Sequence, residues 1–244
     1  MKTRLVTSLL LLSVNLFAQT TVNKLIPVAA GQKINMHFDY PELVRVSTWT
    51  RSEISIQGSV SINGGENDDA FELQTKTVGS TISVESEIKG LKDLPQRMTI
   101  VRNGQKVVFK TKADYRKYCN ENGRDFNFMS TGVDMEIVLD IKVPENTETR
   151  IESVYGMVEI KQFAGPLIVD ATYGGVDAAL QERATGELIA ETDYGQIYTN
   201  LDIKFANDNL RVRDFNTYVS AKPGSGPRYS FESKYGNVYL RKAN

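Results

Sequence analysis

Apolar and polar residues alternate along much of this chain, with the two-residue period of half-buried β-strands. Before residue 90 the alternation includes Val44 and Val46, then Ile82 and Val84. It resumes in the segment 137–141 and continues to the C-terminus. The pattern predicts an all-β protein.

An internal repeat occupies the C-terminal half. Four copies share an aromatic-glycine pair between alternating apolar residues: Tyr155-Gly156, Tyr173-Gly174, Tyr194-Gly195 and Tyr235-Gly236. These glycines are 18, 21 and 41 residues apart, and Phe215-Asn216 supplies a degenerate copy inside the long gap. Because glycine and asparagine both tolerate positive φ angles, the shared pair predicts a left-handed bend.

Each copy is typical of two short strands joined by the bend. So small a unit buries its apolar face only by stacking on its neighbours at the strand spacing of about 4.8 Å. We therefore expect a right-handed β-solenoid of two-strand units, each roughly 20 residues long. The aromatics would form a column, for which a structural role is favoured over a ligand platform. The alternative, an antiparallel meander of hairpins, would need a turn roughly every 10 residues.

The remaining chain fits one β-repeat domain, residues 19–244. Irregular strands are expected over 38–88, a hairpin and helix as an insertion over 90–131, a strand over 133–143 and regular coils over 147–244. Asn103-Gly104 marks the hairpin turn, Thr111 and Asp114 form the start of a helix, and Gly123 ends it. The insertion either protrudes or covers a sheet edge, and covering is favoured because open edges invite aggregation.

The N-terminus has the pattern of a secretory signal peptide over residues 1–18. Lys2 and Arg4 precede an apolar run that ends at Ala18, and this run is too short to anchor a membrane protein. No later segment of the mature chain predicts a transmembrane helix. The formal charge of −1 gives the chain no reason to bind nucleic acid. We expect export to the periplasm, the outer surface or the medium.

The repeated Tyr-Gly pairs, with their Val-x-Ile-like triplets, resemble a known family. Leu43–Trp49 followed by Ile54-Ser55-Ile56 extends the similarity, which runs from Phe38 to the C-terminus. The chain is similar to the exported bacterial β-strand-repeat domains called "putative adhesin" domains. The resemblance implies a β-helix-like fold outside the cytoplasm and an adhesin-like role. It supplies no catalytic residues.

Candidate chemistry is sparse. Cys119 is the single cysteine and His37 the single histidine, and no catalytic motif is present. We therefore expect no enzyme activity and no cofactor. Arg211, Arg213 and Asp214 lie in the least regular copy and are the candidate binding residues. A β-helix enzyme acting on polysaccharides, the alternative, would use this same region.

Acidic residues recur four positions before the bend residues, at Glu152, Asp170, Glu191 and Glu232. Stacking would align them on one outer face, where they could collect a divalent cation. A solvated face relieved by lysine and arginine is favoured, so no metal is expected. The acidic turn 64–69 lacks the ligand spacing of an EF-hand and predicts a hairpin tip.

Two non-catalytic functions fit these features. The first is an interaction module of the cell envelope that binds a glycan or a protein of unknown identity. The second is a structural, self-assembling protein, in which the terminal coil that ends at Arg241–Asn244 stacks on a second copy, because an unpaired coil exposes backbone hydrogen-bonding groups.

Overall fold

A computed structural model describes residues 20–203, 205 and 210–243. The signal peptide expected over residues 1–18 lies outside the described residues. Within these residues, one α-helix, α1 (Lys112–Asn122), accompanies twenty strands. The strands are β1 (Thr20–Pro27), β2 (Lys33–Phe38), β3 (Leu43–Trp49), β4 (Glu53–Ile62), β5 (Phe71–Val78), β6 (Thr81–Ile88), β7 (Arg97–Arg102), β8 (Gln105–Phe109), β9 (Phe128–Gly132), β10 (Met135–Pro144), β11 (Thr149–Ser153), β12 (Met157–Ile160), β13 (Leu167–Ala171), β14 (Val176–Leu180), β15 (Glu187–Thr192), β16 (Ile197–Thr199), β17 (Leu210–Arg213), β18 (Asn216–Ala221), β19 (Arg228–Ser233) and β20 (Val238–Lys242).

The protein is predominantly β, as the alternating pattern predicts, and most strands belong to two large sheets. The eight-stranded sheet has the order β1-β4-β10-β3-β12-β14-β20-β16. The nine-stranded sheet has the order β17-β18-β15-β19-β13-β11-β2-β6-β5. Inward apolar residues of both sheets form one buried cluster that extends from Ile26 to Leu240. Alternation therefore buries one face of each sheet in a shared core.

Five units of two strands cross from the nine-stranded to the eight-stranded sheet. These repeat units are β2–β3, β11–β12, β13–β14, β15–β16 and β19–β20. Neighbouring units pair in parallel in both sheets, with Ile151 opposite Val169 and Val158 opposite Val176. The unit β2–β3, in the N-terminal half, contributes Ile34 and Val44 to the same core.

The spatial order of the repeat units differs from their order in the chain. The C-terminal unit β19–β20 lies between β13–β14 and β15–β16. The expectation that the terminal coil is unpaired is therefore wrong, because β20 has a parallel partner on each side. The last repeat unit in the stack is β15–β16.

The predicted fifth copy at Phe215-Asn216 is also not a parallel coil. Residues 210–221 form the hairpin β17–β18, and β18 pairs antiparallel with β15. The turn is at Asp214, where φ is +34°. This part of the sequence keeps the aromatic residue of the repeat but not its strand direction.

The insertion forms a small sheet of its own, in the order β8-β7-β9. Asn103 and Gly104 turn the hairpin at φ angles of +51° and +76°. Helix α1 begins after Thr111, whose side-chain oxygen accepts the Asp114 N–H at 3.1 Å. Gly123 caps its end, and its N–H donates to the carbonyl of Cys119.

Ion pairs connect the insertion to the end of β4 and to the start of β10 in the eight-stranded sheet. Arg97, whose side chain is only 8% exposed, lies 2.5 Å from Glu66 after β4, and Lys110 pairs with the same carboxylate. Lys106 bridges Asp134 and Glu136 at the start of β10. The insertion therefore attaches at strand ends and pairs with neither outer edge strand of the two large sheets.

Candidate functional site

A column of six stacked aromatic rings follows the bends of the units. Its order is Tyr40, Tyr155, Tyr173, Tyr235, Tyr194 and Phe215, and this set is called the aromatic column. The four inner tyrosines are 5.1 to 5.3 Å apart between ring centroids, and their planes differ by only 7° to 13°. The spacing follows from parallel pairing of the units, which places equivalent residues one strand apart.

The column faces solvent. Tyr155, Tyr173 and Tyr194 are 59%, 55% and 57% exposed, and Tyr235 is 44% exposed. Each of these rings has another ring on both faces, so its edge and hydroxyl group are what the solvent meets. A sugar ring could stack face to face only at the ends of the column, on Tyr40 or on Phe215.

The glycines after the aromatics do not adopt the predicted left-handed bend. None of Gly156, Gly174, Gly195 and Gly236 has a positive φ angle. A Cβ on Gly174 would instead lie 1.9 Å from the carbonyl oxygen of Gly156, and a Cβ on Gly236 the same distance from that of Gly174. Glycine is required here because the backbones of adjacent units approach closely.

Two bends depart from the Tyr-Gly pair. Pro41 follows Tyr40 in the first unit of the column, and its carbonyl oxygen is the atom that a Cβ on Gly156 would meet. Asn216 also lacks a positive φ angle, contrary to prediction. Its amide nitrogen donates to the carboxylates of Glu191 at 2.8 Å and Asp193 at 3.0 Å.

Buried hydroxyl groups connect the bends of neighbouring units. The Ser233 hydroxyl donates to the carbonyl of Gly174 at 2.8 Å and accepts the Gly236 N–H at 2.9 Å. Thr192 donates to the carbonyl of Gly236 at 2.9 Å and accepts the Gly195 N–H at 3.0 Å. These bonds join the backbones of the bends that carry the column.

A second row of side chains crosses the outer face of the nine-stranded sheet in register. It contains the four predicted acidic residues, and it is called the outward row. Its order is Arg211, Tyr218, Glu191, Glu232, Asp170, Glu152, His37, Glu85 and Gln74. The sequence spacing thus correctly predicts the alignment of the four carboxylates.

Arg150 partly neutralises this row. Its Nε lies 2.9 Å from Glu152 and its terminal nitrogen 2.5 Å from Asp170. Burial nevertheless raises the pKa of Asp170, with Arg150 opposing the shift and Glu152 adding to it. Burial also raises the pKa of Glu232, and the charges of Asp170 and Glu191 raise it further.

His37 and Glu152 favour each other's charged forms. Burial alone would lower the pKa of His37, but hydrogen bonds to Glu152 and Asp39, at 3.1 and 2.9 Å, raise it above 6.5. Burial alone would raise the pKa of Glu152, but the bonds from His37 and Arg150 lower it. The outward row therefore has a well-paired half around Glu152 and a self-repelling half around Glu232.

The predicted binding residues Arg211, Arg213 and Asp214 lie together on the exposed hairpin β17–β18. The Arg211 guanidinium stacks over Tyr218 at 4.3 Å from the ring centroid, and Asp214 occupies the turn. All three side chains belong to exposed residues on an outer strand or its turn rather than to a groove. They form no arrangement of paired acidic groups around a cleft.

The acidic turn 64–69 is packed rather than open. Asp68 is buried and accepts the backbone N–H of Ile62 at 2.6 Å, while Glu66 pairs with Arg97. Within the described residues no group of three or more histidine, cysteine or acidic side chains has the geometry to hold a metal ion. In the same part of the chain, no helix is both long and apolar enough to span a bilayer.

Sequence reasoning missed three parts of this surface. Tyr40 is followed by proline, and Val44 and Val46 come one residue later than in the repeat, so a search for Tyr-Gly pairs passes over it. The serine or threonine three residues before the glycine, at positions 153, 192 and 233, was a visible signal. Arg150 and His37 gave no signal, because each also binds a carboxylate of another unit, Asp170 for Arg150 and Glu152 for His37.

Comparisons with known proteins add little. No protein-family model and no curated protein matches the sequence. A solved structure described as a "putative cell adhesion protein", from Clostridium sporogenes ATCC 15579, is 12% identical and has a TM-score of 0.44, covering 92% of this chain and 100% of its own. A "putative adhesin" from Bacteroides fragilis NCTC 9343 is 11% identical and has a TM-score of 0.22, covering 92% and 98%. Scores this low carry no argument about function.

Proposed function

We propose that this chain is an exported, non-catalytic interaction module of a bacterial cell envelope, similar in role to an adhesin. Its binding surface is the aromatic column together with the adjoining outward row. The observation that carries the proposal is the continuous exposure of the four inner tyrosines along the stack of units.

The rigidity of this surface supports a binding role. Tyrosine offers contact area and a polar group at a low cost in side-chain entropy, and repeat proteins commonly bind along extended faces. Because the inner ring faces are already covered, the partner would meet ring edges and a line of hydroxyl groups. An extended glycan or polypeptide that hydrogen-bonds along the stack fits this geometry.

Two further parts of the proposal concern architecture and location. The parallel register of the five repeat units supports a β-solenoid-like stack, in which one aromatic per unit repeats at the strand spacing. The basic and apolar pattern of residues 1–18 supports export. Together they would present the aromatic column to the envelope or its surroundings.

A binding screen tests the proposal. Purified protein would be applied to a glycan array and, as bait, to isolated envelope fractions. The matched variant replaces Tyr155, Tyr173, Tyr194 and Tyr235 by phenylalanine, which keeps the stacked rings and removes the hydroxyl groups. We expect a specific ligand whose affinity falls roughly tenfold or more in the variant, since each hydrogen bond lost contributes about 1 kcal/mol.

The melting temperature of the variant controls for its fold and should stay near that of the wild type. Binding that is unchanged in the phenylalanine variant would place the partner elsewhere and contradict the proposal. Failure to bind any glycan or envelope component would also contradict it. Release of specific fragments from a bound polysaccharide would show that the chain is an enzyme instead.

A further inference from the structure

The nine-stranded sheet has an outer strand at each end. Among the described residues, β17 pairs only with β18, and β5 pairs only with β6. Within the described residues neither outer edge has a strand beside it, and such an edge can accept another strand through its backbone N–H and carbonyl groups. The two edges lie at opposite ends of one sheet.

The strand directions make these two edges compatible. β17 runs parallel to β15, because β18 is antiparallel to both. β15 is in turn parallel, through the repeat units, to β6, and β5 runs antiparallel to β6. A second copy placed in the same orientation would thus bring its β5 antiparallel to β17.

The outward row fixes the register of such a junction. Arg211 ends the row at β17, and Gln74 ends it at β5. If the outward row continues from one copy into the next, Arg211 on β17 of the first copy lies opposite Gln74 on β5 of the second. The next outward pair is then Arg213 opposite Glu72, and the inward pair between them is Val212 opposite Leu73.

The chemistry of these pairs is complementary. Val212 is 69% exposed although it points to the core side of the sheet, the side on which Leu73 packs against the core. Arg213 and Glu72 have opposite charges, and cross-strand pairs of this kind stabilise a sheet. Glu72 pairs with Lys89 at 2.5 Å through one carboxylate oxygen, which leaves the other oxygen for Arg213. Lys24 donates to the carbonyl of Leu73 at 2.5 Å, which leaves one lone pair of that oxygen for a backbone donor.

We propose that copies of this chain associate head to tail, with β17 of one copy adding to β5 of the next in the register that pairs Arg213 with Glu72. Since the two edges differ and successive copies share one orientation, each added copy leaves a free edge and the assembly extends as a filament. The aromatic columns of successive copies would continue along the same direction. The proposal is independent of the proposed envelope ligand.

Charge exchange tests this junction. The variants Arg213→Glu and Glu72→Arg each place like charges opposite one another, which should weaken association roughly tenfold. An equal mixture of the two restores opposite charges at every junction between unlike copies. The introduced glutamate of one variant then meets the introduced arginine of the other, and the two native residues meet at the next junction.

Sedimentation velocity of the purified protein, up to about 1 mM, would follow the mass of the wild type, each variant and the mixture.

Control variants Arg116→Glu and Glu121→Arg make the same charge changes at exposed positions of α1 and should associate like the wild type. We expect a mass that rises with concentration for the wild type, the same rise in each single variant only at roughly tenfold higher concentration, and recovery in the mixture. A wild type that stays monomeric overturns the proposal. Single variants that associate like the wild type, or a mixture that stays monomeric, overturn it as well.

Discussion

At the scale of single residues, the bends depend on close contact between backbones. Gly174 lies against Gly156 of one neighbouring unit, and Gly236 lies against Gly174. Glycine and asparagine at equivalent positions suggested a shared φ angle, but the two residues act differently. Glycine makes room for a carbonyl, and Asn216 binds two carboxylates.

The variant Gly174→Ala should lower the free energy of unfolding by at least about 2 kcal/mol, because its Cβ would overlap a backbone oxygen that cannot move independently. Gly132→Ala is the matched control, since a Cβ there meets no atom within 4 Å and φ is not positive. The control should keep its stability or gain up to about 1 kcal/mol. Urea unfolding of both variants measures this, and equal losses would refute the close-contact explanation.

Two carboxylates of the outward row, on either side of Asp170, should respond oppositely to neutralisation. The pKa of Glu232 is raised in the folded protein, so its ionisation lowers the stability of the fold once pH rises above the pKa that the residue has in the unfolded chain. Glu232→Gln should therefore raise the melting temperature at pH 7. The pKa of Glu152 is lowered in the folded protein, so its charge stabilises the fold until pH falls through this lowered pKa. Glu152→Gln should therefore lower the melting temperature at pH 7.

Thermal melts from pH 4 to pH 8 measure both effects. The difference between Glu232→Gln and the wild type should shrink toward acidic pH, where the wild-type residue is itself neutral. Shifts of the same sign in the two variants at pH 7 would show that the paired and self-repelling halves of the row do not exist.

At the scale of elements, local signals predict what local contacts determine. The Asn103-Gly104 turn and the Thr111 cap lie next to the strands and helix that they define, so both were visible in the sequence. The hairpin β17–β18 was not, because its alternation suits either strand direction. Which direction forms depends on pairing with β15, a contact between distant residues.

The attachment of the insertion depends on Arg97. The variant Arg97→Met keeps much of the apolar stem but removes the guanidinium, leaving Glu66 with Lys110 alone. Loss of one partner from a buried ion pair is costly, and the partial exposure of Glu66 reduces this cost. We expect faster hydrogen exchange in β7, β8 and β9, with the two large sheets unchanged.

Hydrogen exchange read by mass spectrometry makes this measurement, and Lys117→Met is its control, because Lys117 is exposed on α1. Faster exchange throughout both large sheets would contradict the description of the insertion as a separate, ion-paired element. Unchanged exchange in β7 would show that Arg97 does not hold it.

At the scale of the whole molecule, the repeat predicted parallel stacking but not the order of the units. Its copies have similar strands and bends, so sequence spacing places β15–β16 next to β13–β14 as readily as it places β19–β20 there. The long segment between Thr199 and Arg228 removes the constraint that neighbours in the chain be neighbours in space. The tyrosine order 173, 235, 194 could therefore not be deduced from periodicity.

The spatial order of the repeat units sets the order of residues in both the aromatic column and the outward row. Cross-linking tests this order most directly. In a Cys119→Ala background, Asp170→Cys with Glu232→Cys places two cysteines on directly paired residues. Asp170→Cys with Glu191→Cys places them two strands apart, about 10 Å, which exceeds the reach of a disulfide. We predict a disulfide in the first protein and none in the second under mild oxidation, measured by mass spectrometry. A disulfide between positions 170 and 191, and none between 170 and 232, would contradict the insertion of the C-terminal unit into the stack.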